Sequence, residues 1–336
     1  MFEYKNLQTE GDSISRENKF AQTVLEGLSL KQKCLPSWLI FDSRGSEIFK
    51  EITQLPEYLP AACEFEIFNT HKKWITELIS KETFQIIELG SGDGEKTKIL
   101  IENILNNKID FHYYPIDISK GAIENLVNNL NLKFANTSLK VTGLVADYFD
   151  GLKNITTREN HRNLVLFLGI TLNNMDLPHA KSFLRKLHQL LNDKDYLLIG
   201  FDLIKNPKLL YTAYNDSKGL FEKFNLHLLD RINQMLDGNF KKELFIQQGH
   251  YNPKSNAVES YIYSTRNQTV YINRLNREFK FKLWEGIQTE QEQTRKRKPL
   301  IHANQLFKSA LEHQGLRGSC RLQVVGIRQW IPEVEK

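Results

Sequence analysis

Five strand-like apolar runs alternate with helix-period segments between about residues 84 and 202, and this alternation constrains the fold more than any other feature of the chain. The runs are "FQIIEL" (84–89), "FHYYPI" (111–116), "LKVTGLVA" (139–146), "NLVLFLG" (163–169) and "DYLLIGF" (195–201). Among the segments between them, "EKTKILIENILNN", "SKGAIENLVNNLN" and "DLPHAKSFLRKLHQLLN" have helical spacing. The second opens on Ser119 and the third on Asp176, residue types that cap helix N-termini. Such β-α alternation predicts a parallel sheet with helices on both faces, and ligands gather at the carboxyl ends of its strands.

The first strand runs into "ELGSGDGEKT", where Gly90, Gly92 and Gly94 allow a ligand to approach the backbone and the next helix offers free N–H groups at its start. The spacing is GxGxG, unlike the GxGxxG of dinucleotide folds, and a P-loop is absent from the sequence. Asp117 ends the second strand, where an acid can accept both hydroxyls of a ribose. Asp147, in "LVADYFDG" after the third, could accept the exocyclic amine of an adenine, and taken alone it describes a helix cap or turn acid equally well. Glycine turn and two acids at successive strand tips together describe an adenosine site with no phosphate requirement. Lys96, in the first turn of the helix, could serve a ligand carboxylate or be a solvated surface lysine. S-adenosylmethionine joins an adenosine to an amino-acid tail whose carboxylate needs such a donor.

Composition excludes little. Charged residues at 25% and hydrophobic residues at 40% fit a globular chain of 336 residues with one large or two modest domains. Much of the net charge of +5 sits in "TRKRKP" (294–299), read as a solvated loop, so no nucleic-acid partner is expected. Cys34, Cys63 and Cys320 show no paired spacing, and the nine histidines show no close ligand spacing, so neither a disulfide framework nor a metal is expected. The first twenty residues lack the apolar core of a signal peptide, and the longest apolar stretches, such as "LVLFLGITL", are too short to span a bilayer. A cytoplasmic protein with no membrane partner is the expectation, and a monomer is compatible with it.

Several segments in order, "LPSWLIFDSRGSEIFKEITQLPEYLP", "ELGSGDGEKT", "YYPIDIS", "FLGITLNN", "GFDLIKNPKLLYTAYNDSKGLFEKFNLHLLDRINQMLDGNF" and "IQTE", resemble the ergothioneine-pathway histidine Nα-methyltransferases. Relatives of that family methylate the α-amine of other amino acids, including dimethylallyltryptophan. The resemblance implies an α/β fold, a Rossmann-like S-adenosylmethionine-dependent methyltransferase sheet with a second, inserted α+β substrate domain. The expected boundaries are 61–203 plus 287–336 for the methyltransferase part and 10–60 plus 204–286 for the substrate-binding part.

The same resemblance implies roles. Gly90, Lys96, Asp117 and Asp147 match the cofactor contacts. Tyr58, Asn174 and Tyr214 match the residues that hold the amino acid by its α-amine and carboxylate, and Tyr58 could also stabilise the charge that grows on the amine. Read without the family, the tyrosines suit core packing and Asn174 a turn. Glu290 matches the acid that grips the imidazole of histidine. The pattern then breaks: in "TEQEQTR" Glu292 stands where the family has a serine and Thr294 where it usually has a lysine. Ser260 stands where the histidine enzymes often carry an apolar residue. Two acids near one ring would favour imidazolium or a more basic side chain. The expected reaction is methylation of the α-amine of free histidine to trimethylhistidine (hercynine). The alternatives are another aromatic or basic amino acid, and a silent S-adenosylmethionine-binding homologue. The tail after 291 matches the family poorly, with "LFKSALEHQGL" reading as helix and "RLQVVGIRQWI" as a closing strand.

Overall fold

The computed structural model describes residues 1–79, 83–156, 161–175, 177–203, 205–255, 257–293, 313–314 and 320–326. The elements begin with β1 (Phe2–Asn6), α1 (Glu10–Ser29), α2 (Ser43–Ile52), α3 (Leu59–Ile79), β2 (Phe84–Leu89), α4 (Glu95–Asn106) and β3 (Phe111–Asp117). They continue with α5 (Lys120–Phe134), β4 (Lys140–Val145), α6 (Tyr148–Thr156), β5 (Arg162–Phe167), α7 (Leu177–Leu190), β6 (Tyr196–Asp202), α8 (Pro207–Tyr214) and α9 (Leu220–Leu236). Last come β7 (Phe245–Asn252), β8 (Ala257–Ser264), β9 (Gln268–Ile272), β10 (Arg277–Phe281), β11 (Gly286–Gln293), β12 (His313–Gln314) and β13 (Cys320–Gly326). The chain divides into two compact units, Met1–Gln8 with Pro60–Ile204 and Arg295–Lys336, and Thr9–Leu59 with Lys205–Thr294.

The first unit is built on an eight-stranded sheet in the order β1-β4-β3-β2-β5-β6-β13-β12. Strands β1 to β6 pair in parallel, while β13 runs antiparallel to β6 and β12 antiparallel to β13. Every residue of β2 is buried, as a central strand covered on both faces requires. Its alternating side chains divide between two cores. Phe84 and Ile86 join residues of α3, α4 and α5 on one face, and Ile87 and Leu89 join residues of α6 and α7 on the other. The chain leaves β2 toward β3 and β4, then returns across it to β5 and β6, so the order of strands reverses at β2. A crevice at the carboxyl ends of the strands beside that reversal is where such sheets hold ligands.

The α/β class and its parallel sheet agree with the sequence, and three elements differ. The strand β1 falls in a segment that carries no strand signal. It is short and mostly exposed, and it is held by edge pairing to β4, Phe2 opposite Val141 through Asn6 opposite Val145, more than by an apolar face. In "LFKSALEHQGL", expected as helix, His313 and Gln314 instead pair as strand with Leu322 and Arg321, and the remainder lies outside the described residues. The strand β11, expected with the methyltransferase part, pairs with β8 and belongs to the second unit. Asp176, expected to cap α7, and the "TRKRKP" run lie outside the described residues.

The second unit has a three-stranded antiparallel sheet, β11-β8-β7, and a separate β9-β10 hairpin. The helix α9 buries Phe221, Phe224, Leu228, Leu229, Ile232 and Leu236, a stripe at helical spacing, and packs on α2 and β7. Asp42 caps α2 by accepting the Gly45 N–H at 2.7 Å, and His227 and Arg231 of α9 reach the same carboxylate at 2.8 and 3.3 Å. Among the described residues no helix is long and apolar enough to cross a membrane.

Candidate active site

The turn after β2 is left-handed at three glycines, with φ of +73° at Gly90, +52° at Gly92 and +65° at Gly94. The Gly90 and Ser91 N–H groups donate to the Ile116 carbonyl at 2.8 and 3.2 Å, which ties the turn to the end of β3. A Cβ at Gly90 would stand 3.1 Å from the Tyr148 hydroxyl, whereas one at Gly92 would meet nothing within 4 Å. Gly92 therefore presents its backbone to open space. Ser91 Oγ, just beside it, is buried and has no hydrogen-bond partner among the described residues.

Asp117 stands at the tip of β3, as expected. Its carboxylate accepts the Gly92 N–H at 3.1 Å and the Ser119 N–H at 2.9 Å, so one side chain joins the glycine turn to the start of α5. Burial pushes this carboxyl above its usual range, and the backbone donors at Ser119 and Gly92 offset only part of that. A carboxylate has roughly four acceptor positions, so capacity for a diol remains. Asp147 follows β4 and accepts the Phe149 N–H at 3.0 Å, which makes it a cap of α6. It is exposed at the carboxyl edge of the sheet. Tyr148, which the sequence reading missed, brings its hydroxyl to Gly90, and burial together with Asp117 and Asp147 pushes that hydroxyl well up.

Lys96 is not a solvated surface lysine. Its ammonium donates to Glu64 Oε2 at 2.6 Å, and Glu64, on α3, is 1% exposed. Burial would lower the pKa of this ammonium, but the attraction of Glu64 outweighs it and holds the pKa above the ordinary lysine value. The same carboxylate accepts the Gly169 N–H with both oxygens, at 2.9 and 3.1 Å. Gly169 and Ile170 have φ of +73° and +53°, and they lead into the 3-10 turn Thr171–Asn174. Asn174 is exposed at the end of that turn, while its neighbour Asn173 is buried and donates to the Asp202 carbonyl at 3.3 Å. Glu88, one residue before the turn's first apolar anchor, faces the α4 side, where Tyr113 donates its hydroxyl to it.

In the second unit Tyr58 and Tyr214 are both 5% exposed and both pack on Phe221, with ring centroids 5.8 and 4.6 Å away. Phe49 adds an edge contact to Tyr58 at 6.1 Å. Glu290 and Glu292 lie on the backbone of β11, opposite Ser260 and Val258, and their side chains lie outside the described residues. The register shifts between Gln288 and Glu290, so Thr289 is the extra residue of a bulge. Its hydroxyl is pinned between Asn225 Oδ1 at 2.5 Å and the Ser260 carbonyl at 3.2 Å, and Ser260 Oγ accepts from Gln247 at 2.9 Å. Ser260 is wholly buried in this network.

An adenosine with an amino-acid tail fits the donor set of the first unit: glycine backbone open at Gly92, a diol acceptor at Asp117, an unpartnered hydroxyl at Ser91 and an ammonium at Lys96. No group of three or more metal-ligating side chains occurs among the described residues. The family model for histidine-specific, S-adenosylmethionine-dependent methyltransferases matches residues 20–312. The chain is 29% identical over 267 residues to the histidine N-alpha-methyltransferase of Mycolicibacterium smegmatis, covering 80% of this chain and 81% of that protein. It is 32% identical over 220 residues to ergothioneine biosynthesis protein 1 of Schizosaccharomyces pombe, covering 64% of this chain and 28% of that one. A 4-dimethylallyltryptophan N-methyltransferase of Claviceps purpurea is 27% identical over 207 residues, 59% of each chain. By the extent of the family match, which takes in the glycine turn, the strand-tip acids and the 3-10 turn at Asn174, the chain belongs to the histidine-specific, S-adenosylmethionine-dependent methyltransferases.

Proposed function

We propose that this methyltransferase acts on the α-amine of free histidine and carries it to N,N,N-trimethylhistidine, the hercynine of ergothioneine biosynthesis. The observation that carries this reading is the family match over residues 20–312. In this reading Gly90, Asp117 and Asp147 receive the adenosine and Lys96 the carboxylate of the cofactor's tail. When bound, S-adenosylmethionine supplies an electrophilic methyl on a positively charged sulfur. The protein's task is to present an uncharged amine in line with that methyl, so positioning and exclusion of water provide most of the acceleration.

Asn174, with an amide donor and a carbonyl acceptor, holds the α-carboxylate and the amine of the amino acid, and Tyr214 adds a hydroxyl donor. Tyr58 offers the hydroxyl and ring face that favour positive charge as it accumulates on nitrogen. Each of the three transfers requires loss of a proton from the ammonium before attack. Glu290 accepts from the imidazole. We place the activity in the cytoplasm, where methyl donor and free amino acids are both available.

A second acceptor is favoured by one observation, Glu292 and Thr294 in "TEQEQTR" in place of the family's serine and lysine. Two acids suit a basic side chain, and an N-methyltransferase of a different amino acid stands among the relatives. Incubation with S-adenosylmethionine and a panel of free amino acids, read by mass spectrometry, decides. A gain of three methyl groups on histidine alone is expected. Methylation of another amino acid in preference to histidine sinks the histidine assignment, and cofactor binding without any product sinks the enzyme reading. Replacing Asp117 with Ala removes two charge-assisted contacts and is expected to weaken cofactor binding at least about a hundredfold by calorimetry. Unchanged affinity removes Asp117 from the site.

A further inference from the structure

Glu64 is a buried acid of the first unit whose partners follow two different strands, Lys96 after β2 and Gly169 after β5. It sits on α3, it is 1% exposed, and its oxygens take the Lys96 ammonium at 2.6 Å and the Gly169 N–H at 2.9 and 3.1 Å. A lysine in the first turn of a helix is electrostatically misplaced, since the helix dipole favours acids there. Glu64 supplies the compensating charge. Yet a buried ion pair adds little to stability compared with apolar packing in the same volume, so stability alone is a poor reason for this one. The pair also keeps an opening. The Lys96 side chain is 22% exposed although its partner is sealed, so the ammonium can meet a ligand from one side while it is held from the other.

The second half of the arrangement lies at Gly169. Ile170, a β-branched residue held left-handed directly after the left-handed Gly169, stores strain that the surroundings must hold in place. The doubly accepted N–H of Gly169 is such a restraint, and a Cβ at that position would stand 3.8 Å from Lys96 Nζ. Lysine and turn are therefore neighbours fixed by one carboxylate.

We propose that Glu64 is a positioning residue for the methyl donor: its buried carboxylate fixes the Lys96 ammonium beside the Gly169 backbone, so that the lysine meets the carboxylate of the cofactor's amino-acid tail in one preset orientation. This rests on the assignment of Lys96 to that tail. It is independent of which amino acid accepts the methyl.

The test compares two probes that share the adenosine and differ in the tail. S-adenosylhomocysteine carries the amino-acid carboxylate and 5′-methylthioadenosine does not. In Glu64→Gln the shape is kept and the charge is lost, so Lys96 is held by a weaker, neutral contact. Titration calorimetry is expected to show S-adenosylhomocysteine binding about tenfold weaker, with 5′-methylthioadenosine within about twofold of the parent. Equal loss for both probes means that Glu64 only supports the fold, and an unchanged affinity for S-adenosylhomocysteine means that it supports nothing in the site; either overturns the proposal. If Glu64→Gln does not fold, Glu64→Asp keeps the charge and shortens the reach, and it is read by the same two affinities. A parent chain that binds S-adenosylhomocysteine but methylates no histidine overturns the acceptor assignment alone and leaves this comparison intact.

Discussion

At the scale of single residues, the acids of the first unit differ in how far the sequence reveals them. Asp117 and Asp147 are legible because each follows an apolar run, and a strand tip is a local pattern. Glu64 is not legible, since it meets Lys96 across 32 residues and Gly169 across 105, and only the folded sheet brings those positions together. Glu88 is intermediate: its place beside the glycine turn is visible, its burial is not. It is 2% exposed, and burial pushes its carboxyl up to about 7, against the pull of the Tyr113 hydroxyl and the Lys96 ammonium. A raised acid contributes stability that is full below its ordinary value of 4.5 and is lost as the pH rises through about 7. The loss amounts to about 3 kcal/mol. Glu88→Gln has no proton to lose, so urea unfolding of parent and variant across pH 4.5 to 8 is expected to show the parent losing about 3 kcal/mol relative to the variant. A constant difference across that range would mean that Glu88 ionises as freely in the folded chain as in the unfolded one.

At the scale of elements, the strands of the parallel sheet were readable because burial on both faces demands continuous apolar runs, and β2 is buried at every position. The strand β1 was not, because an edge strand is held by backbone pairing and needs few apolar side chains. The bulge at Thr289 was equally hidden. It depends on Asn225 of α9 and Ser260 of β8, and no local signal in "IQTE" announces it. The glycine turn is the element on which sequence and structure agree most closely, and it admits a sharp test at its last glycine. Gly94 begins α4 with φ +65°, and a Cβ there would lie 2.6 Å from Leu126 Cδ1, in a core where Leu126 is 1% exposed. Gly94→Ala therefore combines a left-handed alanine with overpacking. It is expected to cost roughly 2–5 kcal/mol in urea unfolding, the sum of the two effects. Gly92→Ala has the same backbone strain without the clash, and its expected cost is roughly 1–2 kcal/mol. Equal losses for the two would show that α5 yields to the added methyl and that backbone strain alone sets the cost.

At the scale of the whole molecule, the residues assigned to the methyl donor, Gly90, Lys96, Asp117 and Asp147, all fall in the unit made of Met1–Gln8, Pro60–Ile204 and Arg295–Lys336. The side-chain acid and both tyrosines assigned to the acceptor fall in the other. The family order of segments implied two parts, and the chain does divide into two compact units, with a boundary that falls elsewhere. "IQTE" was expected to open the return to the methyltransferase part, and instead it pairs with β8 and belongs to the second unit. The division predicts how the donor alone alters backbone protection. At a concentration one hundred times its Kd, a ligand that binds only the folded state stabilises it by about 2.7 kcal/mol, which slows exchange through the linked opening roughly a hundredfold. With S-adenosylhomocysteine and no amino acid, deuterium exchange is expected to slow most in peptides covering residues 84–98, 111–122 and 145–151. There the amides of Gly90, Ser91, Gly92 and Ser119 are already ordered by Ile116 and Asp117. Peptides from β7, β8 and α9 are expected to exchange as in the free chain. Protection that spreads equally into those elements would mean that the donor orders both units at once, and the assignment of donor binding to the first unit alone would be wrong.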